Sequence, residues 1–379
     1  DMYREHGWFP KWELYGRETL TMEGDPSIPV IVDTWMKGLR DFDVDLAYEA
    51  MYKSATLPGA ENLMRPDNDD YMSKGYVPLR EQYDNSVSHA LEYYIADFAL
   101  SRFADALGKK KDAEMFYKRS LGYKHYYSKE FGTFRPILPD GTFYSPFNPR
   151  QGENFEPNPG FHEGNSWNYS FYVPQDVNGV KIFMGGDKRF IERLDSLFTM
   201  ELPAKYYENT EDITKEGLMG NYVHGNEPSQ HIPYLYMWTS QPWKTQYRLR
   251  EIMDRMYRNN IDGLCGNDDC GQMSAWYIFT AMGFYPVCPG SDQYVLGAPY
   301  LKEMTVHLEN GKDLVIKAPK VSAKNRYVKS VKLNGREYDK AYLTHQDICN
   351  GGELFFEMSS TPNKKRVFTE EQKPYSMTK

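Results

Sequence analysis

The hydrophobic periodicity of this chain changes near residue 290, and that change constrains its fold more than any other feature. Before it, apolar residues recur every three to four positions; after it, they alternate along short segments broken by Asn-Gly pairs. Asp43 can cap a helix with Leu46, Ala47, Ala50, Met51 and Ser54 on its inner side. Val87, Leu91, Tyr94, Phe98 and Leu107 keep helical spacing through "SVSHALEYYIADFALSRFADALG", and Gly108 is placed to end it. Asp112 and Asp187 read as the starts of two more helices, the second with Phe190, Ile191, Leu194, Leu197 and Phe198 on one face. "HIPYLYMWT" is apolar nearly all round, which predicts a buried helix. "PWKTQYRLREIMDRMY" and "GQMSAWYIFTAMGFYP" close the helical series, and residues 132–162 and 208–231 read as long ordered loops.

After residue 290, "MTVHLENGKDLVIKA" and "VKSVKLNGREY" predict hairpins at Asn310-Gly311 and Asn334-Gly335, and "GELFFEM" a further strand. The expected organisation is a helical domain over residues 1–290, then an antiparallel β region and tail over 291–379. The charged tail after Met358 is expected to fray. Helix pairs joined by short loops are what an α/α toroid requires.

With 40% hydrophobic and 26% charged residues among 379, the chain is globular and long enough for one large core or two unequal domains. A net charge of −8 with no basic stripe excludes a nucleic-acid partner, and no apolar run reaches the ~18 residues of a membrane span. The 31 tyrosines, with 20 Phe and 7 Trp, fit either an aromatic core or a surface that stacks on sugars. Four cysteines are too few for a disulfide scaffold, and the C-x4-C spacing of Cys265 and Cys270 is not that of a zinc site. Those cysteines either fill small apolar gaps or form a local bridge. The opening "DMYREHGWFPKWELYGRE" has no signal-peptide pattern, so either the start has been removed or the chain is the C-terminal portion of something larger.

Three loops concentrate polar residues beside aromatic ones. In "HEGNSWNYSFYVPQD", Glu163 precedes Trp167, Tyr169, Phe171 and Tyr172; it is either a solvated loop residue or a carboxyl kept protonated by a dry aromatic wall. In "GNYVHGNEPSQHIPYL", Asn226 and Glu227 offer hard oxygens that suit Ca²⁺ better than zinc, or else form a turn capping the next helix. In "LCGNDDCGQMSAW", Asp268 and Asp269 precede a helix N-terminus, whose dipole favours their anionic form; they are caps or a base. One shielded acid, one exposed pair of ionised carboxylates, an oxygen-rich cation site and a Tyr/Trp surface fit the inventory of acetal hydrolysis.

"EGNSWNYSFYVPQD", "GNYVHGNEPSQHIPYLY" and "GLCGNDDCGQMSAWYIFTAMGFYPVCPGSDQYVLGAPY" closely resemble glycoside hydrolase family 92, calcium-dependent exo-α-mannosidases, and "GYVPLREQYDNSVSHALEYYIADFALSRFADALGK" and "GWFPKW" are similar to it as well. The resemblance implies a mainly α fold, an (α/α)6 toroid incomplete at its N-terminal end, followed by the small antiparallel β region. It implies an inverting mechanism with Glu163 as general acid and Asp269 as general base, with Asp268 or solvent assisting. Some relatives carry an acid where this chain has Asn267. Asn226 and Glu227 match the calcium site, and Trp12, Asn165, Trp167, His224, Gln230, His231, Asn267 and Gln272 the sugar-binding surface. An inverting pair is expected roughly 6.5–9.5 Å apart. The substrate implied is a mannose-containing glycan with terminal, most commonly α-1,2, linkages, and family habit implies a periplasmic or secreted bacterial protein. Family members carry a β-sandwich before "GWFPKW"; this chain is expected to meet it in cis or in trans, or to be a truncated mannose-binding remnant.

Overall fold

A computed structural model describes residues 1–80, 85–208, 210 and 213–379. Glu81–Asp84, within the "GYVPLREQYDNSVSHALEYY" stretch, and Asn209, Glu211 and Asp212, within the 208–231 loop, lie outside the described residues. The chain is mainly helical, with its longer strands after residue 290. It forms two compact units. One comprises Asp1–Gln175, Pro203–Thr210 and Pro289–Ser291; the other comprises Asp176–Leu202, Glu211–Cys288 and Asp292–Lys379.

The first unit is built around the helix Ser86–Ala106. Its spacing predicts one buried face, but nearly the whole circumference is buried. The cause is its neighbours: the helices Ser27–Met36, Val44–Thr56 and Lys110–Arg119 and the 3₁₀ turn Gly122–Tyr126 all pack on it. Such a position admits a charge only with partners. Asp97, fully buried on this helix, pairs with Arg65 at 3.0 Å and Arg119 at 2.7 Å and accepts the Tyr71 hydroxyl at 2.9 Å. Removing one member of such a buried set costs about 3–5 kcal/mol, because the remaining charge is stranded. Asp43 caps Val44–Thr56 as expected, its side chain accepting the Leu46 N–H at 3.1 Å. Asp112 does not start its helix. The helix begins two residues earlier, at Lys110, and the Asp112 carboxylate accepts the Tyr48 hydroxyl at 2.6 Å, tying two helices together.

In the second unit the helix Asp187–Thr199 buries Phe190, Ile191, Leu194, Leu197 and Phe198, the face its sequence predicts. Ile232–Trp238 is buried along its whole length, as its composition requires, but winds as a 3₁₀ helix instead of an α-helix. The helices Trp243–Met256 and Gln272–Met282 follow. A three-stranded sheet orders Tyr342–Thr344, Gln293–Leu296 and Phe284–Tyr285; a five-stranded sheet orders Arg336–Tyr338, Tyr327–Leu333, Gly352–Ser359, Asp313–Lys317 and Glu303–His307. Pairing is antiparallel except between Asp313–Lys317 and Gly352–Ser359.

Both Asn-Gly hairpins form, through different turns. Asn334 (φ 51) and Gly335 (φ 77) join Leu333 directly to Arg336, the two-residue turn with both centres left-handed. At Asn310-Gly311 only the glycine is left-handed. The Gly311 N–H donates to the Leu308 carbonyl, giving a three-residue loop with a bulge. The tail does not fray. Phe368 and Met377 are buried, and Asp176 accepts the Ser376 hydroxyl at 2.9 Å, the Thr378 N–H at 2.7 Å and the Thr378 hydroxyl at 2.8 Å. A buried aspartate about 200 residues upstream supplies what the tail's own charge pattern could not reveal.

Candidate active site

In the first unit, Glu163 sits on the loop before the short helix Ser166–Tyr169, with a left-handed backbone (φ 47) that a non-glycine residue rarely adopts. The surroundings enforce it. The Ser88 hydroxyl accepts the His162 N–H at 3.0 Å, the Tyr169 hydroxyl donates to the His162 carbonyl at 2.7 Å, and Glu153 accepts the Glu163 N–H at 2.7 Å. Strain of this kind costs roughly 1–3 kcal/mol and is concentrated at functional positions. Gly152 pairs with Asn165 across a β-bridge, and a side chain on Gly152 would run into the Gly164 carbonyl. That close approach brings Glu153 to the Glu163 loop.

The charges around this loop are dense. His162 lies between Glu153 (Nδ1 to Oε2, 3.0 Å) and Glu163 (Nε2 to Oε1, 3.3 Å), with Glu23 at 3.8 Å. Burial alone would push the imidazolium down, but Glu153, Glu163 and Glu23 outweigh it and push it up to about 10. Glu23 is held below the usual carboxylate range: burial opposes ionisation, and His89, 2.6 Å away, overrides it. Burial raises Glu92, on the Ser86–Ala106 helix, to about 7; the Tyr172 hydroxyl pulls the other way and the Glu23 charge adds to the rise. Asn165 is buried and caps Ser166–Tyr169, accepting the Trp167 N–H at 3.0 Å. Trp167 is half-buried on that helix, and Trp12 is exposed.

In the second unit the other motifs meet through two glycines. A Cβ on Gly266 would lie 2.7 Å from the Cα and the carbonyl oxygen of Gly225, so a glycine at 266 lets these turns touch. The contact places Asn226 and Glu227, which open the helix Glu227–Gln230, against the turn carrying Asn267, Asp268 and Asp269. Gln272 reinforces it, donating to Gln230 at 2.9 Å, and the Trp276 indole donates to the Gln230 carbonyl at 2.9 Å. Asn226 is buried and caps its helix, its side chain accepting the Glu227 N–H at 2.9 Å.

The two aspartates divide their roles. Asp268 accepts both the N–H and the hydroxyl of Ser274 at 2.9 Å, so it caps the helix Gln272–Met282. Asp269 is exposed, holds a left-handed backbone (φ 44), and its side chain makes no hydrogen bond or ion pair within the described residues. Asn267 is exposed beside them, and His231 is buried at the end of Glu227–Gln230. His224 is fully buried, with Nδ1 2.7 Å from the Tyr222 hydroxyl, Nε2 2.7 Å from the Tyr257 hydroxyl, and its ring edge-on to Trp276. Burial pushes it down to about 3, so it is a neutral strut. All four cysteines are free thiols, and burial pushes Cys265 up to about 11, far from a reactive thiolate.

A model of the glycosyl hydrolase family 92 catalytic domain matches residues 1–360. The chain belongs to this family. It is similar to a solved family 92 α-mannosidase from Bacteroides thetaiotaomicron, with 41% identity and a TM-score of 0.89 over 97% of this chain and 47% of that one. It is also similar to a solved inverting mannosidase of the family from Bacteroides thetaiotaomicron VPI-5482, with 37% identity and a TM-score of 0.89 over 100% of this chain and 51% of that one. An uncharacterized secreted glycosidase of Arthroderma benhamiae is 26% identical over 93% of this chain and 47% of its own length. The chain therefore spans about half the length of these relatives. Its fold class, α/α-toroid helices with a small antiparallel β region, is that of family 92. Among the described residues no helix is long and apolar enough to cross a membrane.

The sequence singles out Glu163 as a candidate but gives no sign of Glu153, Glu23, His89 and Glu92 around it. His162, adjacent to Glu163, was the one local signal. The others lie 10 to about 140 residues away and enter through tertiary contacts alone.

Proposed function

We propose that this chain is the catalytic portion of an exo-acting α-mannosidase that cleaves terminal mannose, with α-1,2 linkages preferred, from glycans outside the cytoplasm. The observation that carries the reading is that Glu163 and Asp269 are two of only six non-glycine residues with positive φ among the described residues. Strained backbone clusters at active sites, so its presence at two carboxylates in family motifs supports a catalytic role for both. Glu163 is the proton donor to the departing oxygen, and Asp269 is the base that takes a proton from the attacking water. Asp268 acts on Asp269 by fixing the turn. The inverting course and the export draw on two similar proteins, an inverting mannosidase and a secreted glycosidase.

Calcium is part of the proposal. No three His, Cys, Asp or Glu side chains converge as a metal cage among the described residues. The donors on offer are the amide oxygen of Asn226 and the carboxylate of Glu227, adjacent hard oxygens that fit Ca²⁺ with carbonyls, water or sugar hydroxyls completing its shell. Bound there, the ion would supply Lewis-acid polarisation of sugar hydroxyls.

The test is hydrolysis of an aryl α-mannoside and of α-1,2-mannobiose by this chain, with and without chelator, beside Glu163→Gln. Turnover lost on chelation and restored by calcium is expected, together with a calcium-dependent rise in melting temperature that Asn226→Ala abolishes. Mannose binding without turnover would overturn the reading in favour of a binding remnant, and turnover indifferent to chelator would remove calcium from it.

A further inference from the structure

The loop of Glu163 carries its own electrostatic frame. One carboxylate oxygen of Glu153 does two things at once: it accepts the Glu163 N–H at 2.7 Å and contacts His162 Nδ1 at 3.0 Å. The opposite ring nitrogen of His162 lies 3.3 Å from the Glu163 carboxyl. Two carboxylates within ion-pair distance, one on either side of the ring, favour the imidazolium over the neutral imidazole.

We propose that His162 is the positioning residue that aims the Glu163 carboxyl, and that Glu153 is the counter-ion that keeps His162 from locking Glu163 as a carboxylate. The inference rests on the reading of Glu163 as the proton donor. An imidazolium beside a carboxyl stabilises the anion and would by itself make Glu163 a poor acid. Glu153 contacts the same ring at a slightly shorter distance and offsets that attraction. The other ionisable groups facing the cluster from this unit are consistent with this division. Glu23, at 3.8 Å, has its own partners in His89 and the Asn85 amide, and Glu92 is pushed up to about 7 behind it. The rise of His162 to about 10 keeps it cationic across the neutral range.

The experiment is the pH profile of kcat for His162→Gln and Glu153→Gln, on α-mannobiose and on dinitrophenyl α-mannoside, whose leaving group needs no proton. The basic limb reports the proton donor, which works only while protonated. Removing the His162 cation is expected to move that limb to higher pH, and removing the Glu153 anion to lower pH, each by about one unit. His162→Gln is also expected to lower kcat on mannobiose by at least ~10-fold, and dinitrophenyl mannoside turnover much less, with KM little changed. Because the shift directions are opposite, they are readable on residual activity even if a variant is less stable. Limbs that stay in place, or shift the same way, with both substrates losing turnover in parallel, would overturn the proposal. Glu163→Gln separates the two levels. If it harms both substrates equally, the donor assignment itself fails; if it spares the dinitrophenyl substrate while the His162 and Glu153 profiles overlay the parent, only this inference fails.

Discussion

Gly225 and Gly266 meet backbone to backbone, leaving no room for a Cβ on Gly266. This contact joins the turn of Asn226 and Glu227 to the turn of Asp268 and Asp269. Gly266→Ala should therefore force the two turns apart, costing about 1–3 kcal/mol of stability as overpacking does. Turnover should fall further than the melting temperature suggests, because these turns hold the proposed base and the proposed calcium donors. Thermal melts and kcat on an aryl α-mannoside, measured on the same preparation, check it.

Asp268 and Asp269 are neighbours with different duties, and their asparagine variants should separate. Asp268→Asn weakens the cap on Ser274 and should cost about 1 kcal/mol, with a moderate loss of rate. Asp269→Asn should leave stability near the parent value and lower kcat by roughly 10²–10⁴-fold. Urea unfolding beside steady-state kinetics gives both numbers; a larger stability loss for the Asp269 variant would reverse the assignment.

His224 gives unfolding a pH dependence with a definite sign. Its value in the folded protein is pushed down to about 3, below the ordinary value of 6.5, because the buried ring resists charging. Its contribution is thus complete above about pH 6.5 and declines as pH falls toward 3, since the unfolded chain takes up a proton that the folded one refuses. The slope from this one group approaches ~1.4 kcal/mol per pH unit. Comparing unfolding free energies from pH 7 to pH 4 for the parent and His224→Gln should show a shallower acid decline in the variant, from a lower starting stability.

The C-terminal tail is docked on Asp176. Asp176→Ala strands the donors of Ser376 and Thr378 and should destabilise by about 1–3 kcal/mol. Deleting residues 375–379 should do likewise, since the Trp238 indole also loses its acceptor, the Tyr375 carbonyl. A melting temperature unchanged by the deletion would show that the tail contributes nothing.

The helix faces of Val44–Thr56 and Asp187–Thr199, the Asn334-Gly335 turn and the motif residues Glu163, Asn226 and Asp269 were legible in the sequence. Each is specified within a few residues, by spacing, a cap or a turn type. Asp112 was misread as a helix start: the helix begins at Lys110, and the Asp112 carboxylate instead serves Tyr48 on another helix. The same limit hid the full burial of Ser86–Ala106, whose own pattern records one face while its neighbours cover the rest.

The sequence by itself determined the family, the order of helices and strands, and which carboxylates are candidates, since local periodicity and contiguous motifs survive in one dimension. Only the tertiary structure decided that Glu153 and His162 hold Glu163, that two glycines bring the Asn226 and Asp268 turns together, and that the tail ends on Asp176. Those choices depend on burial and on contacts between distant segments. A charge is paired, strained or silenced by whatever the fold places within a few ångströms of it.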